Sequence, residues 1–221
     1  DQQARAKELD APTPDSRGPI AAHADTPKIA AAVKEDKPPR SIEDPSGKAL
    51  DALFAKLARI EAGEKEVVRI LYFGDSIVAS DFVSGKLRRL MQDRFGDAGH
   101  GYAIIANAWP GWFHIDVSRR ASGEWLVSTC VGPYAEDGLY GLGCASFMTP
   151  HKGIWAEIGT AELHKWGRSV SSFELEYLQQ PGGGAVDLMV DGKLAKTVAT
   201  DGEKQVAYAK VEVPDGPHRL K

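Results

Sequence analysis

Gly74-Asp75-Ser76 stands between an apolar run, Arg69 to Phe73, and a helix-like stretch, within RILYFGDSIVASDF. A serine at the carboxyl end of a central strand and the start of a helix is held by rigid neighbours where ligands bind in open α/β sheets. Gly74 permits a tight turn, and backbone N–H groups at the helix start can face a developing oxyanion. Such an arrangement suits acyl transfer. A hydroxyl is a poor nucleophile alone, so it needs a base within hydrogen-bond reach and a group that orients the base. The plainer alternative is that Asp75 and Ser76 only make a turn and cap a helix.

Few other residues are spaced for chemistry. His100, His114, His151 and His164 stand apart, without the His-x-x-x-His or Cys-x-x-Cys patterns that gather ligands, so no metal and no other cofactor is expected. His100 in GDAGHGY and His114 beside Trp112 read either as lining a cleft near Ser76 or as ordinary loop and core residues. GDAGHGY follows a helix and lacks Gly-Lys-Ser/Thr, which argues against a phosphate site. Trp109, Trp112 and Phe113 in NAWPGWFH can stack on sugar rings or pack a core. Cys130 and Cys144, 14 positions apart, suit a disulfide and suit two buried thiols equally.

The elements that must position Ser76 follow from periodicity. Leu50, Leu53, Phe54, Leu57 and Ile60 make one helical stripe between Ser46, an N-cap residue, and Gly63, a helix stop. EVVRILYF, residues 66–73, is apolar and β-branched enough for a buried parallel strand. A second helix follows Ser80 and Asp81, with Phe82, Leu87, Leu90, Met91 and Phe95 repeating at helical spacing before Gly96. The charges of KLRRLMQDR read as its solvated face. Helix, strand, turn and helix in that order predict an α/β domain over residues 46–150.

From residue 151 the period becomes two. SSFELEYL, AVDLMVDG and QVAYAKVEV alternate, and Asp191-Gly192 and Asp201-Gly202 carry hairpin-turn chemistry. Residues 151–221 are therefore expected to form an antiparallel β-sandwich of jelly-roll-like form, cut short within a further strand at GPHRLK. Residues 1–45, rich in Pro, Ala and charge, are expected to be a disordered tether.

Of 221 residues, 27 are Lys or Arg and 31 Asp or Glu, so no global field argues for nucleic acid. No apolar run approaches the roughly 20 residues of a membrane span, and residues 1–30 lack the make-up of a signal peptide.

The block Ile70 to Tyr102 resembles the first block of the SGNH (GDSL-like) serine hydrolases. It is nearest the branch that includes peptidoglycan O-acetylesterases with an inserted β-sandwich. The resemblance continues loosely through WPGWFHIDVSRRASGEW. It implies a three-layer α/β sandwich, incomplete in this chain, interrupted by the β module. It implies Ser76 as nucleophile, with its own N–H as an oxyanion donor, and Gly143 in YGLGCASF, ahead of Gly141, as a second donor. Ile77 stands where that branch often has His. The family's Gly-x-Asn-Asp is missing, and Asn107, which has no following Asp, inherits no role. Asp215-Gly-Pro-His218 matches the family's Asp-x-x-His letters, but it reads as a turn within the β module. The base is therefore expected on the remainder of the same polypeptide, beyond Lys221. The resemblance also implies an acylated envelope carbohydrate as substrate, for which Trp109 and Trp112 are the candidate stacking residues by their chemistry, and an exported, periplasmic or cell-envelope location. The rival expectation is a non-catalytic carbohydrate-binding or assembly protein that keeps Gly-Asp-Ser as scaffold.

Overall fold

The computed structural model describes residues 43–221, so the leader expected over 1–45 lies almost wholly outside the described residues. The chain divides into two units, residues 1–52 and 53–221. In the first, the Asp44 carboxylate accepts from the Ser46 hydroxyl and from the Ser46 and Ala49 amides, which holds its carboxyl below the usual range. The described residues combine helices with antiparallel sheets, with more residues in strands than in helices.

Helix α1 (Asp51–Glu61) falls inside its expected span and buries Leu57, while Phe54 of the same stripe is exposed. Asp75 opens the short helix α2 (Ser76–Ala79), and α3 (Phe82–Phe95) follows at once and ends at Gly96 as expected. The face that α3 buries was not legible in its pattern. Phe82 and Leu90 of the apolar stripe are exposed, whereas Arg88 and Arg89, expected in solvent, keep only 17% and 26% of their side chains exposed. Buried carboxylates at Asp81 and Asp116 reverse the helix, because an ion taken out of water needs its counter-ion beside it.

The expected buried parallel strand at residues 66–73 does not form. The run has no strand partner among the described residues, and Leu71 and Phe73 are 67% and 75% exposed. Apolar, β-branched residues favour a strand, but a strand exists only where neighbours take up its N–H and C=O groups.

Strands begin earlier than the alternating pattern indicates. β1 (Val117–Ala121) pairs with β4 (Ala156–Thr160), and β2 (Leu126–Thr129) pairs with β3 (Ala145–Met148). That second ladder sets Thr129 opposite Ala145, so Cys130 and Cys144 continue it with Cα atoms 5.4 Å apart and form a disulfide. β5 (Val170–Gln179) and β8 (Gln205–Gly216) make one antiparallel pair. β6 (Ala185–Val190), β7 (Lys193–Ala199) and β9 (Arg219–Leu220) complete a five-stranded sheet in the order β1-β4-β9-β6-β7. Strands of both sheets share one apolar cluster: Leu188, Val198 and Ala209, with Leu175, Tyr177, Val211 and Leu220 against it.

Asp191-Gly192 is the expected hairpin turn, with both residues at positive φ, 49° and 79°. Asp201-Gly202 instead carries the chain from β7 to β8, which lie in different sheets. Val213 to His218 forms the end of β8 and the step into β9, so His218 lies in a connection between two strands. Its Nδ1 lies 2.7 Å from Asp191 Oδ2 and its Nε2 2.8 Å from the Pro214 carbonyl.

Both ring nitrogens of His218 thus face acceptors, and only the imidazolium donates to both. The Asp191 carboxylate raises its pKa accordingly. The link therefore stabilises the β module fully below the unfolded value, about 6.5, and is lost as pH rises through the raised native value. Thermal melts between pH 6 and 9 should show Tm falling in wild type, and His218→Gln should flatten that fall. An unchanged slope in the variant would remove His218 as its source.

Candidate active site

Ser76 is the first residue of α2 and is exposed. The turn that presents it is closed locally. Asp75 Oδ1 accepts from the Ile77 amide at 3.0 Å, and the Asp75 carbonyl accepts from Val78 and Ala79. Gly74 is required by close approach: a Cβ there would lie 2.4 Å from Val78 Cγ2. Among the described residues nothing hydrogen-bonds to the Ser76 hydroxyl or to its N–H, so both groups remain free.

Five residues on, Asp81 takes a left-handed conformation (φ 54°) between α2 and α3 and is 5% exposed. Its carboxylate accepts from Ser84 Oγ at 2.6 Å, from Arg88 at 2.7 and 3.3 Å, and from the Ile115 amide at 2.9 Å. Burial alone would raise this carboxyl, but His100, Arg88 and Ser84 more than reverse that and hold it well below the usual range. Arg88 and Ser84 act by hydrogen bonds. His100 Nε2 lies 3.7 Å from the same carboxylate. A second clasp lies beside the first: Arg89 grips Asp116 through two 2.7 Å bonds, and Asp116 in turn raises the Arg89 pKa.

His100 and His114, remote in sequence, meet with ring centroids 5.1 Å apart. The His114 Nε2 accepts from Trp112 Nε1 at 3.1 Å and from the Ile104 amide at 3.3 Å. Burial, reinforced by the nearby Arg119 guanidinium, pushes its pKa down to about 3. His114 is therefore neutral, with its proton on Nδ1. Asp81, His100 and His114 hold potential metal-ligand atoms within 4.8 Å of one another, a grouping that sequence spacing did not indicate. They do not fit a metal as arranged. Arg88 already neutralises the carboxylate, and the His114 lone pair is spent on two N–H donors.

Trp112 is 8% exposed, packed edge-on against the half-buried Trp109 at 4.5 Å. Arg119 holds this loop by donating to the Ile104, Ala106 and Trp112 carbonyls and to Asn107 Oδ1, and burial lowers its pKa to about 10. The Gly143 amide donates to Tyr102 Oη at 2.9 Å, so that hydroxyl occupies the place an oxyanion would take. Gly141 faces the same hydroxyl. None of the described histidines hydrogen-bonds to Ser76.

No protein-family model matches this chain, and no curated protein does. Among solved structures, one described as "Peptidoglycan O-acetylesterase in action, 5 min" is similar at 24% identity and a TM-score of 0.53. The likeness covers 75% of this chain and 45% of that one, less than half of that protein's length. It shows a shared fold.

The packing that carries Asp81 and Ile115 gives a test. Gly85 is the buried residue of α3, and a Cβ on it would lie 2.3 Å from Ile115 Cδ1 and 2.6 Å from Cγ1. In an open helix Gly→Ala gains about 1 kcal/mol. Here Gly85→Ala should instead cost about 1–2 kcal/mol by overpacking, read as a lower urea midpoint at unchanged m. A gain in stability would contradict this contact.

Proposed function

We propose that this chain carries the nucleophile of an SGNH-type serine esterase that removes acetyl groups from an O-acetylated cell-envelope carbohydrate such as peptidoglycan. One observation carries the proposal: Ser76 is exposed at the start of a helical turn with its hydroxyl and its N–H free among the described residues. In the reaction Ser76 Oγ attacks the ester carbonyl carbon and its proton passes to a histidine base. The carbohydrate oxygen leaves with that proton, and water then releases acetate from the acetyl-serine. The Ser76 N–H supports the oxyanion. Trp109, the less buried of the tryptophan pair, is the candidate for stacking on a sugar.

The base and its aspartate are assigned to further polypeptide. His218 is taken up by Asp191 and Pro214, and His114 is neutral and engaged. The uncovered run at Leu71 and Phe73, beside Ser76, supports the same reading, since an α/β sheet would bury it. The disulfide supports an exported location. No described helix is long and apolar enough to cross a membrane.

A fluorophosphonate probe should label the intact protein and spare Ser76→Ala, and that substitution should cut acetate release from O-acetylated peptidoglycan by about 10⁴-fold or more. An intact, folded protein that is neither labelled nor active would sink the nucleophile and leave the carbohydrate-binding reading.

A further inference from the structure

We infer that Asp81 is the positioning residue for Ser76, an inference that rests on the reading of Ser76 as a nucleophile. Ser76 has no side-chain partner among the described residues, so its direction depends on how the turn that carries it is anchored. That turn runs from Asp75 to Asp81 and is fastened at its far end. The Phe113 amide donates to the Ala79 carbonyl at 3.0 Å, and the Ile115 amide donates to Asp81 Oδ2 at 2.9 Å. Arg88 closes the loop by donating through Nη2 both to Asp81 Oδ2 and to the Ile115 carbonyl, at 2.7 and 3.0 Å. One carboxylate therefore joins the Ser76 turn, α3 and residues 113–115.

The conformation of Asp81 points the same way. Its φ of 54° swings the chain from α2 into α3, and its side chain forms no cap on the helix it precedes. Asp and Asn tolerate this left-handed region best after glycine, so the backbone requirement alone would accept either. The surroundings discriminate between them. The Ser84 hydroxyl, Arg88 and the Ile115 amide all donate to Asp81, so an Asn amide nitrogen would set one donor against another. Asp81→Asn thus keeps size and φ preference while breaking the junction.

The test compares Asp81→Asn with Asp97→Asn under conditions where both variants are folded by circular dichroism. Asp97, just beyond the other end of α3, accepts from Gln92 and from the Gly99 and Gly167 amides and serves as the control for a merely structural carboxylate. Asp81→Asn should slow fluorophosphonate labelling of Ser76 at least tenfold per folded molecule. It should also lower kcat for acetate release at unchanged KM and move the Ser76 and Ile77 amide resonances while leaving Ala209 in place. Asp97→Asn should lower Tm without slowing labelling. If wild type is labelled and Asp81→Asn is labelled at the same rate, the inference is overturned. If wild type itself is not labelled, the esterase reading fails, and the Ser76 amide shift alone then decides whether Asp81 anchors the turn.

Discussion

A carboxylate removed from water has to be met by donors and charge, and Asp81 is met by Ser84 and Arg88 of α3 and by the Ile115 amide. That requirement organises the region around Ser76. Arg88 must turn inward to reach Asp81, and the rotation that brings it there brings Arg89 to Asp116 as well. Gly85 lies on the same face, where the absence of a Cβ lets α3 approach Ile115. The ion pairs, rather than apolar contacts, set the orientation of α3. Phe82, Leu87 and Leu90 are consequently left outside, while Met91 and Phe95 are half-buried.

Those outward residues matter for the functional reading. Leu71, Phe73, Ile77, Phe82 and Leu90 are all exposed, and they cluster in sequence around Ser76. Exposed apolar surface on this scale marks a place of association. The β module differs: it closes its own core around Leu188, Val198 and Ala209 and fastens its turn at Asp191 with His218. The part that bears Ser76 therefore exposes its apolar residues, whereas the strands from β5 onward have a core of their own.

Several elements could be read directly from residue order. The spacing of Leu87, Leu90, Met91 and Phe95 with Gly96 behind them specifies α3, and Asp191-Gly192 specifies a hairpin because few other pairs accept positive φ at both positions. Alternation in SSFELEYL and QVAYAKVEV marked β5 and β8, and Leu175, Tyr177, Ala209 and Val211 do share a core. Short-range sterics and side-chain periodicity carry this information. β1 to β4 escaped notice because their strands of four or five residues are too short to establish a period.

What residue order alone determined is the local frame: a glycine at the turn of position 74, a serine opening a helical turn, a helix after it, and alternating strands from residue 170 onward. Only the tertiary structure decided which face of α3 is buried, that Cys130 bonds to Cys144, that His100 meets His114, and that Asp81 is a hub rather than a helix cap. Each of these depends on a partner distant in the chain, and the strength of a buried charge pair or a ladder register depends on desolvation that no local pattern records. For the same reason residues 66–73 carry strand chemistry without forming a strand: propensity is a property of the residues, but a strand also needs its neighbour.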